Sequence, residues 1–568
     1  MHRAPEVRRP LWDRIGGLVS SRRSWVLALF IAALGGALLG LIPESASAQQ
    51  SPVVLAPTAE SVRATELIKQ FPGGDAAPVL LVISRADGAA LSPDDLAAAQ
   101  QARGRMAGVT GVIGAPGPPV IPSADGMAAV APVALNPDLT GFDLSDAVTG
   151  LREAARDGLP EALVANVTGG PAFGADIANS FAGANINLLA VTGAVVALLL
   201  IITYRSPVLW LVPLLVIAFA DRIAAVAGTA VAEAVGLGGD GSTTGITSVL
   251  VFGAGTNYAL LLISRYREEL RRESPDLSGP AQSAAHRQAL HTAVRFAGPA
   301  IAASNATVVL ALLSLLLASS PTTRSLGVQA AAGLLVAAIF VLLVLPPLLA
   351  LFGPKLFWPF IPRAGSEEIT TTGAWHRVAD WVSGHAGRVV AASILVLGIL
   401  ATGLIGIPVG LSLIDQFRVR ADSVTGFKTL SAHFPGGLTD PTRVIAPTAN
   451  TDAIQAVLAA TPGIASVTPA GVSDTGLSQW QVVLDATPAS DAAFATVAAL
   501  RDSVHQADPA ALVGGSDATA LDTKNTTIRD RWVVIPAILV VVLAVLYVLL
   551  RALLAPLVLV ATTTLSTL

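Results

Sequence analysis

The chain has 568 residues, 53% of them hydrophobic and only 13% charged, where soluble domains carry about 25% charged residues. Its mean hydropathy is +0.66, so a soluble enzyme of this length is excluded. A formal net charge of −4 gives no sign of nucleic-acid binding, and the absence of cysteine rules out disulfides, thiolate metal sites and cysteine nucleophiles.

The apolar residues collect in runs of the length that spans a bilayer. The first, Trp25 to Ile42, follows Arg3, Arg8, Arg9, Arg14, Arg22 and Arg23 and precedes Ala46-Ser47-Ala48. This fits either a cleavable signal peptide or an uncleaved first span; the long basic segment and the many later runs favour the span. The later runs are Ile186–Tyr204, Val208–Val235, Ile246–Ser264, Ala297–Leu317, Leu326–Leu351, Val389–Ile407, Trp532–Leu549 and Leu553–Leu568.

Lys and Arg in short loops set orientation. Arg205, then Arg265, Arg267, Arg271, Arg272, Arg287 and Arg295, then Lys355, Arg363, Arg377 and Arg388, then Arg551 all fall on the side of the basic N-terminus. The intervening hairpin Gly236–Gly245 has no basic residue and Ala318–Ser325 only Arg324. The expected organisation is therefore a cytoplasmic N-terminus with span 1 (1–48), an extracytoplasmic domain (49–185) and spans 2–6 (186–352). A cytoplasmic loop (353–388), span 7 (389–408), a second extracytoplasmic domain (409–531) and span 8 with the start of span 9 (532–568) complete it.

Both large loops read as β-α-β-β-α-β, the ferredoxin-like order. In the first, strands are expected at 79–83, 109–113, 127–135 and 162–167. Its helices are expected from Ser92-Pro93-Asp94-Asp95 to Met106 and over 144–156. Ser92 is a capping residue with proline and acids in the first turn behind it. In the second, strands are expected at 443–446, 464–467, 479–484 and 511–513, with helices over 452–460 and 491–504. Phe71-Pro72-Gly73-Gly74 recurs as Phe434-Pro435-Gly436-Gly437, an offset of 363. Gly111-Val112-Ile113 and Leu151-Arg152 recur in the same order as Gly463-Ile464-Ala465 and Leu500-Arg501. An internal two-fold repeat follows. The counterparts of the first half's later spans fall beyond Leu568, so the chain reads as truncated in its second half.

Polar groups at membrane depth are costly and mark function or helix contacts. Asp221 and Arg222 lie deep in the third run and need partners on other helices or in a water-filled cavity. In the fourth run, Asn257 lies near mid-depth with Thr256 and Tyr258, and Gly253 and Gly255 are candidates for close helix packing. Asn305 and Gln329 are weaker candidates, and Glu233 reads as interfacial. Asp221 and Asn257 are expected to face the bundle interior, with Tyr258 near the boundary between the halves. Interhelical hydrogen bonding alone would also explain Asn257 and Thr256, and a structural ion pair would explain Asp221 and Arg222. Catalytic, metal-ligating and Walker-type motifs are missing, so neither an enzyme nor a cofactor is expected.

Two six-span halves, each with a domain after its first span, resemble the resistance-nodulation-division superfamily. The stretch Phe252-Gly253-Ala254-Gly255-Thr256-Asn257-Tyr258 through Ser264-Arg265-Tyr266-Arg267-Glu268-Glu269-Leu270, with Tyr204-Arg205-Ser206-Pro207, is similar to its MmpL branch. The resemblance implies a helical plasma-membrane transporter with two porter domains, driven by protons and exporting lipids or other hydrophobic compounds. It implies a proton-relay position at Asn257-Tyr258, where the family usually has Asp-Tyr; the tenth-span Asp-Tyr would lie past Leu568. A non-transporting lipid-binding or sterol-sensing-like receptor and a non-functional fragment are the alternatives, and a homo-oligomer is possible.

Overall fold

The computed structural model describes residues 11–41, 54–71, 74, 76–114, 119–182, 184–204, 206–272, 280–359, 361, 374–403, 421–434, 441–488 and 490–567. The first half contains α1 (Leu11–Ser20), α2 (Ser24–Leu41), α3 (Glu60–Ile68), β1 (Ala77–Arg85), α4 (Pro93–Met106), β2 (Ile121–Pro122), β3 (Ala128–Leu135), α5 (Gly141–Arg156) and β4 (Leu163–Thr168). The helices α6 (Gly170–Ala182), α7 (Ala184–Tyr204), α8 (Leu211–Ala234), α9 (Gly241–Arg271), α10 (Pro280–Leu313), α11 (Pro321–Ile339) and α12 (Leu345–Phe352) follow. The rest comprises α13 (Ala374–Gly384), α14 (Ala386–Thr402), α15 (Asp422–His433), β5 (Thr442–Pro447), α16 (Thr451–Ala460), β6 (Ile464–Val472), β7 (Leu477–Leu484), α17 (Asp491–Ala507), β8 (Leu512–Gly514), α18 (Ser516–Leu550) and α19 (Leu554–Thr567).

Among the described residues six helices are long and apolar enough to cross a membrane: Ser24–Leu41, Leu211–Ala234, Gly241–Arg271, Gln282–Leu317, Pro321–Phe357 and Ser516–Leu550. A pair bent by 93°, His376–Gly384 with Ala386–Thr402, passes the same test together, and Ala190–Tyr204 and Leu554–Ser566 are shorter apolar helices. Each coincides with one of the nine runs read from the sequence. Between α11 and α12 the backbone widens into a π-turn at Phe340–Val344. Pro346 and Pro347 follow at once and cannot donate backbone hydrogen bonds to the preceding turn, so the helix there loses its regular ladder.

The two sheets have the same order, β2-β3-β1-β4 and β6-β7-β5-β8, with every neighbouring pair antiparallel. In the first sheet β1 is apolar on both faces. Val79, Leu81 and Ile83 pack with Ala99, Met106, Val148 and Leu151 of α4 and α5. Leu80 and Val82 point the other way, with Val130, onto Leu430 of α15. The second sheet follows suit. Val444 and Ala446 pack against Ile454, Val497 and Leu500, and Ile445 and Leu512 pack against Ala64, Ile68 and Phe71. The helix that leads into each domain therefore crosses over and covers the opposite domain's sheet. Phe173 of α6 meets Phe427 of α15 edge-on at 6.0 Å. At the far end of α15, His433 Nδ1 lies 2.8 Å from Asp125 Oδ2. The Ser123 hydroxyl, and then His433, hold the Asp125 carboxyl well below the usual carboxylate range.

Sequence and structure differ at three places. Residues 109–113 are not a strand. They form a turn around Gly111 (φ 95°), with a single bridge from Val112 to Leu135, and the edge strand is Ile121–Pro122. The alternation Val-Thr-Gly-Val-Ile mimics a strand, but a left-handed glycine inside it turns the chain away. Helices α3 and α15 are absent from the sequence reading, although each opens on an acid-serine pair, Glu60-Ser61 and Asp422-Ser423. The α4 reading holds: Ser92 Oγ accepts from Asp95 N (3.1 Å), and Asp95 accepts from Ser92 N (2.9 Å).

Leu430 is 4% exposed, so Leu430→Ala should destabilise the α15 contact by ~2–5 kcal/mol. A thermal unfolding scan of the purified chain in detergent should show the lowered midpoint. Lys428→Ala, on the exposed face of the same helix, should leave it in place.

Candidate functional site

The polar residues of the membrane bundle fall into three groups. The first surrounds Asp221, near the middle of the 24-residue α8. Its residue is 2% exposed, and Ser248 of α9 lies near its carboxyl without a formed hydrogen bond. Arg222 is the next residue on the helix, so its side chain leaves in a different direction. It is 61% exposed, and its guanidinium stays 3.8 Å from the Asp221 carboxylate. This is too long for a hydrogen-bonded pair. Asp221 is thus a buried acid whose ion pair with Arg222 is long, at 3.8 Å. Among the described residues, neither the buried Thr247 Oγ1 nor the buried Ser248 Oγ has a hydrogen-bond partner.

The second group lies on α11, which packs against both α8 and α9. Gln329, 2% exposed, donates from Nε2 to Ser325 Oγ at 2.9 Å. Glycines bring these helices together. A Cβ on Gly228 would lie 3.0 Å from the Gln329 carbonyl oxygen, and one on Gly333 would lie 3.0 Å from Val251 and 3.1 Å from Thr247. Thr229 and Thr256 turn their hydroxyls back onto their own helices, to Ala225 O (2.9 Å) and Phe252 O (2.6 Å). Neither hydroxyl then donates to the Asp221 group.

The third group joins α9 to α10. Tyr258, 2% exposed, donates its hydroxyl to Asn305 Oδ1 at 3.3 Å, and Asn305 is itself 4% exposed. Asn257 is on the open side of α9 together with Gly253, one turn earlier. Asn257, expected to face the bundle interior, is exposed instead, and Tyr258 is buried against α10. The open side of α9 falls at Gly253 and Asn257, which are four residues apart and so share one face of the helix, while Gly255, Thr256, Tyr258 and Ala259 are buried. A Cβ on Gly253 would meet nothing within 4 Å, whereas one on Gly255 would lie 3.4 Å from Ile217. Of the two glycines expected to serve helix packing, Gly255 does so in this structure.

At one end of the bundle the basic loops gather. Asp13 of α1 lies 3.5 Å from His291 and from Arg295. Ser206 Oγ donates to Leu356 O at 2.7 Å, and Tyr266 packs on Phe357. At the other end, near the sheets, Asp530 of α18 accepts from the backbone N–H groups of Ser319 (2.7 Å) and Ser320 (3.1 Å). Ser320 is the residue before α11, so a carboxylate from the second half sits at the positive N-terminus of a first-half helix.

A family model described as "MMPL family" matches residues 53–404 and 417–568. The chain belongs to the MMPL family. It is 39% identical over 516 residues to the membrane protein ActII-3 of Streptomyces coelicolor, covering 89% of this chain and 70% of that one. It is 30% identical over 480 residues to the apo-petrobactin exporter of Bacillus anthracis, covering 78% and 63%. It is 29% identical over 505 residues to the sulfolipid-1 exporter MmpL8 of Mycobacterium tuberculosis, covering 83% and 44%. Family membership and the apolar helices make this a multi-pass membrane protein of a transporter family.

In this MMPL chain, sequence reading singled out Asp221, Arg222, Gln329, Asn305 and Tyr258. The structure brings Tyr258 to Asn305 and separates Arg222 from the interior. It adds Ser248 and Thr247, which sequence reading passed over because serine and threonine are common in spans. Their signal would have been position, since the third and fourth spans are joined by a short hairpin and must pack side by side.

The glycine contacts set a clear contrast. Gly228→Val should push α8 from α11 and cost ~1–3 kcal/mol, seen as a lower unfolding midpoint in detergent. Gly253→Ala should change the midpoint by less than ~0.5 kcal/mol in equivalent terms.

Proposed function

We propose that this chain is a secondary exporter of the plasma membrane, moving a lipid or other hydrophobic compound and drawing on the proton-motive force. Relatives named as exporters of apo-petrobactin and of sulfolipid-1 support the transport class. One observation carries the coupling: Asp221, a carboxyl buried mid-helix whose ion pair with Arg222, among the described residues, is as long as 3.8 Å. An intramembrane acid without a close ion-pair partner is a group that can take up and release a proton during a cycle. An amide cannot, so Asn257 is assigned no proton. Tyr258 and Asn305 form a hydrogen-bonded contact between α9 and α10 that helps hold the spans in register. Arg222 lies outside this pathway.

The two sheet domains are read as ferredoxin-like porter domains descended from one duplicated half. Their shared strand order and the recurrence of a left-handed glycine just after the last strand of each sheet, Gly169 (φ 103°) and Gly515 (φ 102°), support this. The division into domains and spans follows that given by the sequence. The clustering of Asp13, His291, Arg295, Ser206 and Leu356 at one end of the bundle supports a cytoplasmic N-terminus and extracytoplasmic porter domains.

The coupling is tested with the chain in proteoliposomes, following efflux of a fluorescent hydrophobic dye under an imposed pH gradient. Gradient-dependent efflux is expected, with a loss of at least about tenfold in Asp221→Asn and little change in Glu233→Gln, an acid on the exposed end of α8. Efflux that Asp221→Asn leaves intact would remove Asp221 from the pathway. Dye binding without efflux would favour a receptor.

The orientation has its own check. Because the chain has no cysteine, single cysteines at Glu66 and at Arg272 can be labelled separately in intact cells. An impermeant maleimide should modify the first and not the second.

A further inference from the structure

The crossed helices are held by two ion-pair joints of the same design. In the first, Asp422 at the start of α15 accepts from Arg152 Nε (3.1 Å) and Arg156 Nη2 (2.6 Å) of α5. It also accepts from Asn166 Nδ2 (2.7 Å) and Val167 N (3.0 Å) of β4. Arg152 also donates both Nη groups to Asp176 of α6 (2.7 and 2.8 Å), and Asp176 accepts from Ser423 N (3.2 Å) and Ser423 Oγ (2.5 Å). Thr168 Oγ1 closes the contact onto Ser423 O at 2.7 Å.

The second joint repeats the plan with Glu60-Ser61 of α3, Arg501 and His505 of α17, Val513 of β8 and Asp522 of α18. Glu60 accepts from Val513 N (2.8 Å) and lies 3.1 Å from Arg501 Nε and 3.3 Å from His505 Nε2. Arg501 donates to Asp522 (2.5 and 3.0 Å), which accepts from Ser61 N at 3.0 Å. Each joint therefore ties together a porter domain, the helix that carries that domain's chain into the next span, and the lead-in helix of the other half.

The joints are not equally strong. His505 stands where the first joint has Arg156. Leu512 and Gly514 stand where it has Asn166 and Thr168, so two side-chain hydrogen bonds to the lead-in helix have no counterpart. The strand that receives the helix also differs. β4 pairs with β1 over six residues, Leu80↔Thr168 to Arg85↔Leu163, while β8 pairs with β5 over three, Arg443↔Gly514 to Ile445↔Leu512. Hydrogen bonds to charged groups stabilise more than neutral ones, and local opening follows the regions with fewest such contacts.

We propose that the Glu60 joint is the one that releases, and that the Asp422 joint is the fixed pivot about which the two porter domains move. Release at Glu60 frees α3 from the second sheet. The Asp422 joint keeps α15 seated on the first. Arg152 and Arg501 are positioning residues in this scheme: they act by holding two acids of different elements together.

The test is hydrogen–deuterium exchange of the full chain in lipid nanodiscs, without substrate or gradient, so that a failed efflux assay has no bearing on it. Amides of 60–68 are expected to exchange at least about tenfold faster than those of 422–433. His505→Arg, on the exposed side of α17, should slow 60–68 several-fold and leave 422–433 unchanged. Asn166→Leu should speed 422–433 and leave 60–68 unchanged. Exchange of 60–68 no faster than that of 422–433 overturns the proposal, as does a 60–68 rate that His505→Arg leaves unchanged.

Discussion

Each sheet of this protein has two apolar faces, and the helices of its own domain cover only one. That single mismatch governs the two sheet domains. Leu80 and Val82 need Leu430, and Ile445 and Leu512 need Ala64, Ile68 and Phe71. Hydrophobic burial is non-directional and would accept any apolar cover. The ion-pair joints add the direction, because Arg152 and Arg501 can each reach two acids only when the lead-in helix is seated in one register. Apolar faces supply the attraction and the guanidinium forks supply the geometry.

Inside the bundle the same division of labour appears with the roles changed. Lipid is as apolar as a leucine side chain, so burial alone cannot drive the helices together, and close backbone approach at small residues takes over. Gly228 and Gly333 let α11 approach α8 and α9 closely. The polar residues then sort by whether their own helix can satisfy them. Thr229 and Thr256 bond backward to a carbonyl four residues earlier. Asp221 has no donor of its own to turn back in this way once ionised, and so it marks the interior in a way the hydroxyls do not.

Much of this was legible in the sequence. The nine apolar runs, the Ser92 cap and the strands 128–135 and 477–484 follow from hydropathy, capping chemistry and alternation, all local signals. Resemblance to the family rested on the order of spans and domains, on the stretch around Asn257-Tyr258 and on Tyr204-Arg205-Ser206-Pro207. What sequence reading missed is non-local. Residues 109–113 carry the strand pattern, yet Gly111 needs a positive φ that only its surroundings reveal. Asn257 and Tyr258 look alike as polar residues in a span, and which one is buried depends on where α10 lies. The exchange of α3 and α15 has a trace in the sequence, the Glu60-Ser61 and Asp422-Ser423 pairs with Asp176 and Asp522. That trace gains meaning only when Arg152 and Arg501 are seen between the members.

The crossed helices also bear on how the chain is made. The first sheet is complete once β4 has been synthesised, but the helix that covers its second face starts at Asp422. At roughly 5–20 residues per second, the interval is on the order of 15–50 seconds. Through that time Leu80, Val82 and Val130 form an uncovered apolar strip, while six further apolar helices or bent pairs are still being made. Helix α3 waits as long again for the second sheet. The newborn protein therefore passes through a stage in which two half-covered domains seek their partners. A holding chaperone at the membrane surface, or transient contact of the strip with lipid headgroups, would guard that stage against pairing with a neighbouring chain.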